Sequence, residues 1–165
     1  ALHTSVVQRN FEVPVVRRIL RIFRAFPIPS GIKGLEMITE PVGDALRRKH
    51  HIHFLPEGNL VLMSQRIHRF YLGAFILSYK HQAPIIPITY VLKPKGKAVE
   101  HRWDTTKITM VIGEPIEPPV FREEEMPLAE IEKMAEQAAS WMEEELDKHH
   151  EGKPDRPEAD KRKGT

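Results

Sequence analysis

Residues 50–92, HHIHFLPEGNLVLMSQRIHRFYLGAFILSYKHQAPIIPITYVL, constrain the fold more than any other stretch of the chain. A first apolar run ends in the turn Pro56-Glu57-Gly58, and a basic loop follows. The pattern then predicts a helix over 70–80 and a second strand over 85–92, introduced by Pro84 and Pro87. Strand, helix and strand in that order are the parts of a βαβ crossover, so an α/β fold is expected, a sheet with flanking helices. Ligands of open α/β sheets collect beyond the carboxyl ends of the strands. Glu57 and the basic residues after it are therefore the first candidates for a site.

At 165 residues the chain is long enough for one domain with a sizeable core, and too short for two ordinary ones. Its 25 basic and 23 acidic side chains leave a net charge of +2, so no overall charge points to nucleic acid, and contact with a polyanion requires a local patch. The absence of cysteine excludes disulfides, thiolate metal sites and cysteine nucleophiles. No apolar run in the sequence reaches the length of a membrane span. The chain opens on Ala1 within what reads as structured sequence, and a fragment of a longer protein is expected.

Residues 1–7 read as a buried strand. Over 15–26, helical projection puts Arg17, Arg18, Arg21 and Arg24 on one side and Val15, Val16, Ile19, Leu20, Phe23 and Phe26 on the other. A surface helix with a solvated arginine face accounts for this, and so does an amphipathic helix on an anionic membrane. A short strand and turn follow at 26–31. Leu35, Ile38, Val42, Ala45 and Leu46 then keep helical spacing, with Pro41 predicting a kink or a late start. His51 and His53 share one face of a strand, a geometry that suits metal, but no further ligand block accompanies them and no metal site is assigned. Residues 107–112 read as the second strand of a hairpin after the basic turn Lys93-Pro94-Lys95-Gly96-Lys97. The clearest helix is expected over 126–147, from the period of Leu128, Ile131, Ala135, Ala138 and Met142, with Pro127 in its first turn. One domain over 1–147 and a disordered polar tail over 148–165 follow from this reading.

Arg66, His68 and Arg69 stand just before the predicted helix, where backbone amides and the helix dipole favour an anion. An ordinary solvated basic loop explains them equally well. Helix packing is expected to bury Phe70, Ala74, Phe75 and Leu77, with Gly73 allowing close approach to the sheet.

Four blocks in order, Leu55-Pro56-Glu57-Gly58, Arg69-Phe70-Tyr71-Leu72-Gly73-Ala74, Ala83-Pro84-Ile85-Ile86-Pro87-Ile88 and Ile112-Gly113-Glu114-Pro115-Ile116, resemble motifs of the glycerolipid acyltransferases. These enzymes acylate glycerol-3-phosphate or lysophosphatidate, and the resemblance spans about residues 13–147. It implies transfer of a fatty acyl group to a phosphorylated glycerol acceptor of the lysophosphatidate type in phospholipid synthesis. The donor would be acyl-CoA or acyl-carrier protein, with no other cofactor, at the cytoplasmic face of a membrane. A histidine base and an aspartate five positions later would carry the catalysis. That block has no counterpart in its place here: His3 is followed by Gln8, and His150 and Asp155 lie in the polar tail. No catalytic residue is therefore assigned in this chain. The expectation is an incomplete acyltransferase domain with the pair upstream and substrate-binding residues Pro56, Glu57, Gly58, Arg66, His68 and Arg69. This chain alone is expected to be inactive. Two departures weaken the phosphate site: Ser30-Gly31 stands where the family has Asp-Arg, and Asn59-Leu60 stands where it has Thr-Arg. Lys33 is a possible replacement. A lipid-binding module that kept the fold without the chemistry is the competing reading, and oligomeric state is not legible.

Overall fold

The computed structural model describes residues 2–7, 18, 25–28, 31–58, 65–93 and 107–150. Its elements in order are β1 (Leu2–Val7), β2 (Phe26–Ile28), α1 (Gly31–Arg47), β3 (His51–His53), α2 (Gly73–His81), β4 (Ile88–Lys93), β5 (Lys107–Ile112) and α3 (Leu128–His150). The α/β class read from the sequence holds, with the strands divided between two small sheets.

The first sheet is parallel in the order β2-β1-β3, Ser5 facing Phe26 and Leu2 facing His51. A parallel pair needs a crossover, and α1 supplies one by leaving β2 and returning at β3 on the far side of β1. β4 and β5 form a separate antiparallel ribbon in which Ile88 pairs with Ile112 and Lys93 with Lys107. The crossover expected within 50–92 is thus not closed by hydrogen bonds among the described residues. β3 has only three residues and pairs along β1. On β4, the side chain of Gln65 engages the backbone of Tyr90 and Leu92, taking hydrogen-bonding positions that a strand would otherwise use. β4 also starts later than expected, at Ile88. Ile85 makes only an isolated bridge to Ile116, and Pro87, without an N–H to donate, separates that bridge from the strand.

α2 lies between the two other helices. Phe75 and Tyr79 pack with Ile131, Met134, Ala135 and Ala138 of α3, and Leu77 packs with Ile38 and Val42 of α1. A helix that is apolar on both flanks is explained by this double contact. Phe70 is buried as expected, but α2 starts only at Gly73, and the Tyr71 N–H before it is donated to the carbonyl of Pro56 at 2.7 Å. A Cβ on Gly73 would lie 3.7 Å from Leu35 of α1, an ordinary contact, so close packing against the sheet is not what that glycine provides.

α1 runs through Pro41, which faces solvent. The N–H it lacks would have bonded the carbonyl of Met37, itself 69% exposed, where water can serve. α3 buries Ile131, Met134, Ala135, Ala138 and Leu146 but leaves Leu128 exposed in its first turn. It continues to His150, past the expected start of the tail at 148, and 151–165 lie outside the described residues. So do most of the arginine-bearing segment 15–24, residues 29–30, Asn59-Leu60, and residues 94–106, which hold most of the basic turn expected over 93–97. No helix among the described residues is long and apolar enough to cross a membrane.

Candidate functional site

The chain leaves β3 through Phe54 and Leu55 and turns at Pro56-Glu57-Gly58, closed by the Gly58 N–H donating to the Leu55 carbonyl at 3.1 Å. Gly58 sits at φ +68°, and a Cβ there would come within 2.6 Å of the Tyr71 ring. Glycine is needed at this position both for backbone conformation and for the approach of Tyr71. Tyr71 thereby holds the turn against the start of α2.

Glu57 is half-buried, and its Oε2 accepts the backbone N–H of His68 at 3.3 Å. Burial pushes its carboxyl above the usual range, and nearby Glu143 adds to this, while the His68 amide and imidazole oppose it. Its partner is thus the loop backbone. One residue earlier, the Ile67 N–H donates to Oε2 of Glu143 on α3 at 3.2 Å. Two carboxylates from distant elements therefore hold two successive amides of the basic loop.

A third anchor is Gln65, only 4% exposed. Its Nε2 donates to the Tyr90 carbonyl at 3.2 Å, and its Oε1 accepts the Leu92 N–H at 2.8 Å. With the backbone fixed at 65, 67 and 68, the side chains of Arg66, His68 and Arg69 are exposed. His68 and Arg69 line one wall of an open cleft of about 480 Å³, with Ile67 at its base and Ser140, Glu143, Glu144 and Asp147 of α3 opposite. Arg66 does not line it.

The structure thus brings Pro56, Glu57, Gly58, His68 and Arg69 into one neighbourhood. It moves the basic residues away from the helix N-terminus invoked for them, since α2 begins four residues beyond Arg69. Gln65 and Glu143 were not foreseen. Glu143 lies 76 residues from its partner, beyond the reach of local pattern, and the only sign of Gln65 was a neutral polar side chain preceding a basic loop. Lys33 stands in the first turn of α1.

The upstream histidines have structural partners. His3 on β1 and His50, just before β3, stack at 5.1 Å and share a hydrogen bond of 3.0 Å between Nε2 and Nδ1. His53 is half-buried, and burial lowers its pKa. No group of three potential metal ligands occurs among the described residues.

A parallel sheet with a crossover helix, a carboxylate beyond a strand end and a basic loop beside it make the turn after β3 the candidate site of an α/β protein. The Acyltransferase family model matches residues 2–91, more than half of the chain, and the chain belongs to that family. Its fold is that of the 1-acyl-sn-glycerophosphate (LPA) acyltransferase PlsC from Thermotoga maritima, with a TM-score of 0.57 at 19% identity. The similarity covers 92% of this chain and 57% of that one, so this chain spans little more than half the length of the solved enzyme. No curated protein matches the sequence.

Proposed function

We propose that this protein forms the acceptor side of a glycerolipid acyltransferase, moving a fatty acyl group from a coenzyme A or carrier-protein thioester to the free hydroxyl of a phosphorylated glycerol. The acceptor is of the lysophosphatidate type and is met at the cytoplasmic face of a membrane. One observation carries the reading: a half-buried carboxylate with a raised pKa, Glu57, beyond a strand end and bonded to a loop that presents Arg66, His68 and Arg69 to solvent. The resemblance to glycerolipid acyltransferases and the fold shared with an LPA acyltransferase support it.

In this proposal Glu57 accepts a hydrogen bond from a glycerol hydroxyl, and the basic side chains neutralise the phosphate. Acyl transfer forms an ester bond at the acceptor oxygen, breaks the thioester, and passes the hydroxyl proton to a base as the thiol leaves. These are binding and orienting roles, because the histidine and aspartate of the family pattern have no counterpart at their place in this sequence.

The test is acyl transfer to lysophosphatidate by the full-length protein. Glu57→Gln is expected to raise the acceptor KM by about tenfold or more, the scale of a lost charged hydrogen bond. A carboxyl whose pKa is raised on folding contributes stability below its ordinary value and loses it as pH rises through the raised one. The same substitution should therefore increase stability at neutral pH while weakening the acceptor. Absence of transfer to any lysophospholipid or glycerol phosphate would sink the proposal. The departures at Ser30-Gly31 and Asn59-Leu60 favour a second reading, a non-catalytic lipid-binding module. Its mark would be vesicle binding without turnover, abolished by replacing Arg66 and Arg69.

A further inference from the structure

Helix α3 lies wholly beyond residues 2–91, the part of the chain that carries the family match, yet it reaches into the candidate site. Ile67 is the point of contact. Its side chain packs against the core that α2 and α3 share, and its N–H donates to Oε2 of Glu143 at 3.2 Å. The next amide, that of His68, is held at 3.3 Å by Glu57 of the turn after β3. The loop is thus gripped at two successive residues by carboxylates from two different elements. Gln65 and Phe70 are buried at its ends, while Arg66, His68 and Arg69 between them are exposed. An exposed side chain on a loop takes its direction from the backbone beneath it, so the bonds at 67 and 68 set how His68 and Arg69 face the cleft.

Glu143 stands with Glu144 and Asp147 in the wall of that cleft opposite His68 and Arg69. Carboxylates there repel a phosphate, so the phosphate belongs on the loop side and none of the three is its ligand. Glu143 has a different use. It is half-buried, and a carboxylate accepting a backbone N–H makes a charge-assisted bond, stronger than one between neutral groups.

We propose that Glu143 is a positioning residue for the acceptor site: from outside the family-matched segment it fixes the backbone of the basic loop, so that His68 and Arg69 meet the acceptor phosphate already in place. The inference rests on the lipid-acceptor reading above. A loop ordered beforehand loses less freedom when the acceptor arrives, and the saving appears as affinity. Because Glu143 acts through the Ile67 amide and not on the reacting atoms, it governs acceptor binding and leaves the chemical step alone.

The experiment uses the full-length protein and a short-chain lysophosphatidate dissolved as monomers. Acyl transfer gives KM and kcat, and calorimetric titration gives affinity without turnover. Glu143→Met keeps helix propensity and removes the acceptor for the Ile67 N–H; Glu143→Ala, read beside it, excludes an effect of methionine filling the cleft. Glu143→Gln keeps an acceptor and removes the charge. Glu143→Met and Glu143→Ala are expected to raise KM and the dissociation constant by about tenfold, with kcat changed by less than about twofold. Hydrogen exchange at the Ile67 amide should quicken in both. Glu143→Gln should keep the wild-type KM and the protection of Ile67, a rescue that a merely structural loss would not show. Wild-type KM and affinity in Glu143→Met and Glu143→Ala, or a fall in kcat with KM unchanged, would overturn the inference and leave the acyltransferase proposal intact. Equal weakening in all three variants would also overturn it, since the charge and not the bond to Ile67 would then be the requirement. Binding of lysophosphatidate without acyl transfer, weakened by Glu143→Met and kept by Glu143→Gln, would keep the inference and sink the enzyme. Neither binding nor transfer in the wild type would sink both.

Discussion

Replacing Gln65 with leucine isolates the contact on which the architecture of the site turns. The side chain is 4% exposed and fills two backbone positions of β4, the Tyr90 carbonyl at 3.2 Å and the Leu92 N–H at 2.8 Å. Leucine is similar in volume and fills the space but supplies neither bond. The larger penalty is assigned to the Leu92 amide, which makes the shorter of the two bonds. Leaving such a group without a partner costs ~1–3 kcal/mol. Taking ~2 kcal/mol as the central value, opening at Leu92 becomes about 30-fold more populated. Hydrogen exchange read by NMR should show that acceleration at Leu92, with a comparable loss of stability in urea. Gln65→Glu keeps an acceptor for the Leu92 N–H while losing the donor to Tyr90, so Leu92 should stay protected in that variant. Exchange at the wild-type rate and unchanged stability in Gln65→Leu would refute the claim that this side chain stands in for a strand.

Gly113→Ala places a methyl 2.8 Å from two atoms of the Trp141 ring and 2.9 Å from Pro87, and should cost ~1–3 kcal/mol. Trp141→Leu should recover part of that loss in the double variant, and an additive urea-unfolding cycle would rule out the steric account. His53 is half-buried with a lowered pKa, so folding favours its neutral form. Its contribution is complete above about 6.5 and is lost as pH falls through the lowered folded value. His53→Gln should flatten that acid limb in unfolding curves taken from pH 7.5 downward.

Much of the fold is legible in local pattern. The 3.6-residue period of Ile131, Ala135 and Ala138 marks the buried face of α3, and Pro56-Glu57-Gly58 marks the turn that exposes Glu57. Both signals act over a few residues, where side-chain periodicity and glycine conformation dominate. The family was legible for a different reason, because four short blocks kept their order and spacing.

By itself the sequence determined the element types, the turn at Glu57, a basic loop after it and the acyltransferase resemblance. Tertiary structure decided which strands pair, with β1 between β2 and β3 and β4 joined to β5 instead. It also decided where the basic loop rests: on Gln65 against β4, on Glu57, and on Glu143 of α3. Hydrogen-bond partners are chosen by proximity in the packed chain, and a carboxylate 76 residues away leaves no mark on the pattern around Ile67. Leu128 shows the same limit from the other side. It has the period of a core residue, yet it lies exposed because packing, not periodicity, decides which turn of a helix is covered.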